Sequence, residues 1–211
     1  MSEKKRKTKK IGERAIICVC GMAGSGKSTL AKRLAGKYGL RYFSGGDALK
    51  ALAMEEGYKN LEYGWWESAE GMRFLEKRRK DQKFDEEIDK KLLELTGTGN
   101  AVLDSWTMPW LLKSGFKIWL EASPKTRAKR IAKRDQITLQ EALKALKRKE
   151  SQTKNIYKKM YGFNLGEDYT PFHLILDTDN LEAEEVFQAL SAVLDNCSMS
   201  RTELDRNRQK L

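Results

Sequence analysis

Gly21-Met22-Ala23-Gly24-Ser25-Gly26-Lys27-Ser28 meets every fixed position of the pattern G-x-x-x-x-G-K-[ST]. Its flanks decide the reading. The preceding Ala15-Ile16-Ile17-Cys18-Val19-Cys20 is an unbroken apolar run as long as one buried strand. Behind the pattern, Ser28 to Ala35 sets Leu30, Ala31 and Leu34 on one side of a helix. A glycine-rich turn between strand and helix lets successive backbone N–H groups converge on a phosphate at the positive end of the helix. Gly21 through Thr29 are therefore the expected cradle for a nucleoside triphosphate. Lys27 is placed to reach its β- and γ-phosphates, and the Ser28 hydroxyl to ligate Mg²⁺.

Outward from this loop, strands and helices alternate. Leu40-Arg41-Tyr42-Phe43, Asn100–Asp104, Phe116–Glu121 and Phe172–Leu176 read as four further strands. A mostly helical stretch from about Asp47 to Thr96, interrupted at Gly57, Gly64 and Gly71, is too long for a crossover and reads as a substrate lobe. Pro124 opens a long basic helical region reaching about Tyr161, and Glu182–Leu194 is an amphipathic last helix. The expected class is α/β, a five-stranded parallel sheet flanked by helices. Asp104 ends the third strand, where a carboxylate can serve Mg²⁺ and its waters.

A chain of 211 residues suits one domain with inserted lobes. Residues 14–196 form that domain, between a basic arm (1–13) and a polar tail (197–211). The net charge of +11 gathers in Lys4-Lys5-Arg6-Lys7-Thr8-Lys9-Lys10 and again from Lys125 to Lys159. The arm reads as a solvated tail that can touch RNA nonspecifically. No stretch approaches the ~18 apolar residues of a membrane span, and no signal peptide is expected. The three cysteines make no disulfide framework, which points to a reducing cytoplasm. Cys18 and Cys20 have no further metal ligand nearby and read as small buried hydrophobes. A monomer is expected.

Phosphoryl transfer asks for alignment and fixed positive charge more than for a dedicated base. The only histidine, His173, begins an expected strand and reads as structural. Arg127, Arg130 and Arg134 recur at spacings of three and four, so they can share one helix face, either over a phosphate or in solvent. Ser44 and Gly45 suit a close turn beside a sugar or base, and Asp47 suits a helix cap. Asp85 and Asp89 fall on one helical face. Tyr63, Trp65 and Trp66 can stack on a base or pack in a core.

The order of these parts resembles the nucleoside monophosphate kinase family, and most of all the archaeal type of cytidylate kinase. The resemblance runs from about Arg14 to Leu194. It is carried by Gly21–Leu30, Phe43–Lys50, Phe84–Asp89, Val102–Asp104, Arg127–Arg134, Ile156–Gly162 and Leu176-Asp177-Thr178. It implies a P-loop NTPase fold with a monophosphate-binding lobe (about 44–96) and a helical lid (about 124–161). It also implies ATP as phosphoryl donor with Mg²⁺, and CMP or dCMP as acceptor. Lys27, Arg130 and Arg134 would be catalytic, and Ser28 and Asp104 would hold the metal. Ser44, Asp47, Lys50, Asp85 and Asp89 would line the acceptor site, Asp89 against the nucleoside.

The chain also departs from that pattern. Lys50 and Lys149 stand where arginines are expected, a further arginine position falls on Asn155 or Ile156, and Ser105-Trp106 replaces a glycine-arginine pair. Lysine keeps the charge without the bidentate fork, and Trp106 keeps neither. Either Arg73, Arg78, Arg79 or Lys154 compensates, or the acceptor is another nucleotide or a small metabolite. A nucleotide-binding, RNA-associated protein with little transferase activity is the remaining alternative.

Overall fold

The computed structural model describes residues 15–60 and 64–197, in which the apolar runs form one parallel sheet. Its strands are β1 (Ile16–Gly21), β2 (Arg41–Ser44), β3 (Ala101–Asp104), β4 (Phe116–Glu121) and β5 (Leu174–Asp177), in the order β2-β3-β1-β4-β5. β1 lies between β3 and β4 and is covered on both faces, so it shows no polar alternation. Ile17 and Val19 face one layer, α1 (Lys27–Tyr38) and α8 (Ala183–Asn196). Cys18 and Cys20 face the other way; both are free thiols whose pKa is raised by burial, as inert core residues require.

Register decides where the site falls. Asp104 of β3 is level with Val19 of β1 on one side and Ser44 of β2 on the other. The phosphate-binding loop, Ser44 and Asp104 thus leave the sheet together at its carboxyl edge, where open α/β sheets bind ligands. β5 begins at Leu174, later than the Phe172 expected. The His173 ring stacks on Phe116, its Nδ1 accepts from the Lys117 backbone N–H, and the backbone N–H of His173 donates to the Lys117 carbonyl. His173 is structural, as expected.

The inserted lobe comprises α2 (Gly45–Glu55), a 3₁₀ turn (Trp65–Glu67), α3 (Ala69–Lys80) and α4 (Lys83–Thr96). Two expectations need correction. Asp47 does not cap α2; Ser44 does, accepting from the Asp47 N–H at 3.0 Å, because its backbone is extended where the helix begins. Gly71 does not interrupt the helix but sits inside α3, where a Cβ would come within 2.2 Å of the Trp65 carbonyl oxygen. Glycine is needed there for close packing, not for a turn.

The basic region is two helices, not one. α6 (Pro124–Asp135) ends at Gln136, whose φ of 55° breaks the spiral, and α7 (Leu139–Tyr161) restarts behind a Thr138–Glu141 capping box. Short α5 (Met108–Leu111) follows β3. Tyr63, the basic arm and the end of the polar tail lie outside the described residues. Among those described, no helix is long and apolar enough to cross a membrane.

Candidate active site

Two cavities open on either side of the phosphate-binding loop. The larger, about 730 Å³, is lined by Gly24, Ser25, Gly26, Lys27, Ser28 and Thr29, and by Arg130 and Thr178 opposite. Gly24 and Gly26 have φ of 81° and 93°, which turns the loop back before α1 begins at Lys27. Gly21 and Met22 line neither cavity; their carbonyls accept from the Trp106 indole and the Ser25 N–H, so they shape the loop from behind. Arg130 donates to the Thr178 hydroxyl (3.1 Å) and carbonyl (2.7 Å), fixed along one wall of the larger cavity.

The smaller cavity, about 210 Å³, lies between the inserted helices α2 to α4 and the helices α6 and α7. Ser44, Asp47, Asp85, Asp89 and Asp104 all line it. Lys50, on α2, is not among its lining residues. Arg78 does line it, fully buried and bidentate to Asp85 at 2.9 and 2.5 Å, with a further bond to the Tyr157 hydroxyl at 3.3 Å. Burial alone would lower the guanidinium's pKa, but Asp85 and Tyr157 overcome it and raise the value.

Asp89, one turn along from Asp85, accepts from the Thr107 hydroxyl (2.5 Å) and the Tyr161 hydroxyl (2.7 Å). Burial pushes its pKa up to about 6, against the pull of those two hydrogen bonds. Asp104 is buried and accepts from the Tyr42 hydroxyl at 3.3 Å.

Gly24, Lys27, Ser28 and Arg134 line both cavities, which therefore meet at the start of α1 beneath the lid. Of the three arginines spaced along α6, only two reach this space. Arg127 turns inward instead: it is buried, bonded to the Ala122 and Ala23 carbonyls and to Glu150. The three do not act together, because Arg127 lies two turns, about 10 Å, nearer the start of α6 and is packed under the loop, while Arg134 stays at its mouth.

Where an arginine was expected, Trp106 donates its indole N–H to the Gly21 carbonyl at 2.6 Å and lines the smaller cavity. Its ring has the Lys27 ammonium at 5.4 Å and the Lys149 ammonium at 5.9 Å. Lys149 is almost wholly buried. Burial lowers its pKa, the charges of Lys27 and Arg134 lower it further, and Glu67 opposes them. Trp65 belongs to the core and Trp66 to the cavity wall, so the two aromatic readings are divided between neighbours. Of the other proposed compensators, Arg73 is paired with Glu70, Lys154 with Glu167, and Arg79 is exposed. Arg78 alone lines the cavity. Sequence reasoning missed Glu67, Thr107 and Tyr157, which meet here from three separate elements without any local pattern.

A parallel sheet, a glycine-rich loop feeding a helix, and two cavities joined at a lysine and an arginine define a P-loop phosphotransferase. Residues 16–180 match the cytidylate kinase-like family, and the chain belongs to that family. It is 34% identical over 186 residues to a cytidylate kinase of Methanocaldococcus jannaschii, covering 86% of this chain and 98% of that one. It is 34% identical over 174 residues to a cytidylate kinase of Aeropyrum pernix, covering 82% and 94%. Among solved structures, a shikimate kinase from Bacteroides thetaiotaomicron shares the fold with a TM-score of 0.54, at 19% identity over 86% of this chain and 98% of that one.

Proposed function

We propose that the protein transfers the γ-phosphoryl group of ATP to a nucleoside monophosphate, CMP or dCMP. The observation that carries this is the junction: Lys27, Ser28 and Arg134 border both cavities, so a phosphoryl group passing between them stays among fixed cations. The larger cavity takes the triphosphate along the loop and the Arg130 wall. The smaller one takes the acceptor, with the Asp89 carboxylate placed to accept from an exocyclic amine of the base. Cytidylate kinase relatives support that choice of base.

The Ser28 hydroxyl and the Asp104 carboxylate, together on the cavity wall, are hard oxygen donors that suit Mg²⁺. Bound there, Mg²⁺ would neutralise charge on the phosphates.

The transfer forms a bond from an acceptor phosphate oxygen to the γ-phosphorus while the bond to the β-bridging oxygen breaks and ADP leaves. An acceptor phosphate needs no general base, and the one histidine is committed to the sheet. A reducing cytoplasm suits the free, buried thiols of Cys18 and Cys20. ADP formation measured with ATP against CMP, dCMP, UMP and AMP tests the reading, with Lys27→Ala as control. CMP or dCMP should give the highest kcat/KM; turnover of none of the four would refute it.

A further inference from the structure

Glu67 belongs to the inserted lobe, yet its side chain, 4% exposed, is held by the lid. One carboxylate oxygen accepts from Arg134 at 3.0 Å and the other from Lys149 at 3.2 Å. Both cations and Glu67 line the smaller cavity, and the Lys27 charge is felt at Lys149. Two cations thus hold one carboxylate, with Lys27 on the same cavity wall, at the place where an acceptor phosphate must arrive. We propose that Glu67 is a built-in stand-in for the acceptor's phosphate: it occupies Arg134 and Lys149 until that phosphate displaces it.

The inference rests on the phosphotransferase reading and deepens it. A phosphate monoester brings nearly two negative charges and three acceptor oxygens, against one charge on Glu67. It therefore satisfies Lys149 and Lys27 better and repels the carboxylate it replaces. The turn carrying Glu67 can yield, since it is one 3₁₀ turn preceded by Gly64 at φ 60°. Gly64 packs straight against Asp135 of the lid, so displacement is felt there at once. Arg134 is more than half exposed, and its Nε and Nη2 also donate to the Asp135 carboxylate at 2.6 Å, so it keeps its place on α6 while the bond to Glu67 is exchanged.

Two consequences follow for the chemistry. Without an acceptor, water can attack the γ-phosphorus, its oxygen bonding there as ADP leaves and its proton passes to solvent. Glu67 suppresses that loss by withholding Arg134. A nucleoside without a phosphate cannot displace Glu67, so the same contact selects nucleotides over nucleosides.

Glu67→Gln keeps the size and removes the charge. ATP hydrolysis without acceptor should rise about fivefold or more. The KM and the calorimetric Kd for CMP should both fall. Unchanged hydrolysis, or a raised KM for CMP, would overturn the proposal and leave Glu67 a structural contact. Circular dichroism checks the fold of the variant. Should it fail, Glu67→Asp, one methylene too short to hold both cations, should raise hydrolysis in the same way. A wild type that phosphorylates no monophosphate defeats the kinase reading; a wild type that makes CDP beside an unaltered Glu67→Gln defeats this proposal alone.

Discussion

Arg78 and Asp85, seven residues apart on α3 and α4, form a two-pronged ion pair whose side chains are 3% and 2% exposed. The pair joins α3 to α4 at the cavity wall, and Tyr157 ties it to α7. A buried pair is modest in net worth while complete and costly when broken. Arg78→Met should destabilise the protein by about 3–5 kcal/mol, because it leaves the Asp85 charge unpaired. The double variant Arg78→Met with Asp85→Leu should recover much of that loss. Urea unfolding of the three proteins measures it, and equal midpoints for single and double variants would count against the pairing.

Asp89 makes stability depend on pH. Its carboxyl titrates at about 6 in the folded protein, against an ordinary 3.8. Between these values the folded state holds a proton that the unfolded chain has released, so stability falls as pH rises through that window. The full cost, ~3 kcal/mol for a shift of about two units, is reached above pH ~6. Asp89→Asn keeps an acceptor for Thr107 and offers its amide to the Tyr161 oxygen. Its thermal midpoint should exceed that of the wild type at pH 8 and approach it near pH 4. In the wild type, the KM for CMP should rise as pH falls below about 6, where the carboxylate is lost. A difference in midpoint that does not vary with pH would remove Asp89 as the cause.

Arg130 and Arg134 stand one helical turn apart and both border the larger cavity, but only Arg134 reaches the smaller one. Arg130→Ala should raise the KM for ATP and leave that for CMP unchanged, since its side chain meets only the larger cavity. Arg134→Ala should lower kcat by ~10²-fold, in line with loss of one donor to a developing charge. Steady-state kinetics with each substrate varied separates the two. Matching defects would mean that the cavities are not donor and acceptor sites.

Trp106→Arg restores the residue that the family pattern leads one to expect, yet it should harm this protein. It removes the indole bond to the Gly21 carbonyl and sets a third cation beside Lys27 and Lys149. A fall of ~1–3 kcal/mol in stability is expected, with lower kcat/KM on CMP. Trp106→Phe keeps a ring for the ammonium groups and should cost ~1 kcal/mol. A gain in CMP turnover by the arginine variant would show that the pocket tolerates the charge.

Most of the fold was legible because parallel strands buried on both faces appear as plain apolar runs; β4 has the boundaries that its sequence predicts. α5, at four residues, is too short to show periodicity. The donor half of the site was equally legible, since its cradle is one continuous segment. The acceptor half was not. Arg78, Glu67, Thr107 and Tyr157 come from α3, the 3₁₀ turn, the segment after β3, and α7, and only the tertiary fold makes them neighbours. Lys149 is the instructive case: its place in the family pattern marked a missing guanidinium, but nothing local shows that a glutamate would be its partner.

Arg127 determines which part of the molecule has to travel. Its bonds to the Ala23 carbonyl and to Glu150 tie the base of α6 to the phosphate-binding loop and to α7, and Gly24 rests so close that a Cβ would lie 2.7 Å from the Arg127 carbonyl oxygen. The phosphate-binding loop and the start of α6 are thereby tied into one unit, so the acceptor is expected to enter by movement of α2 and α3 rather than of α6. The backbone amides slowest to exchange with deuterium should be those around Ala23 and Arg127, and the fastest those of the acceptor lobe that faces them.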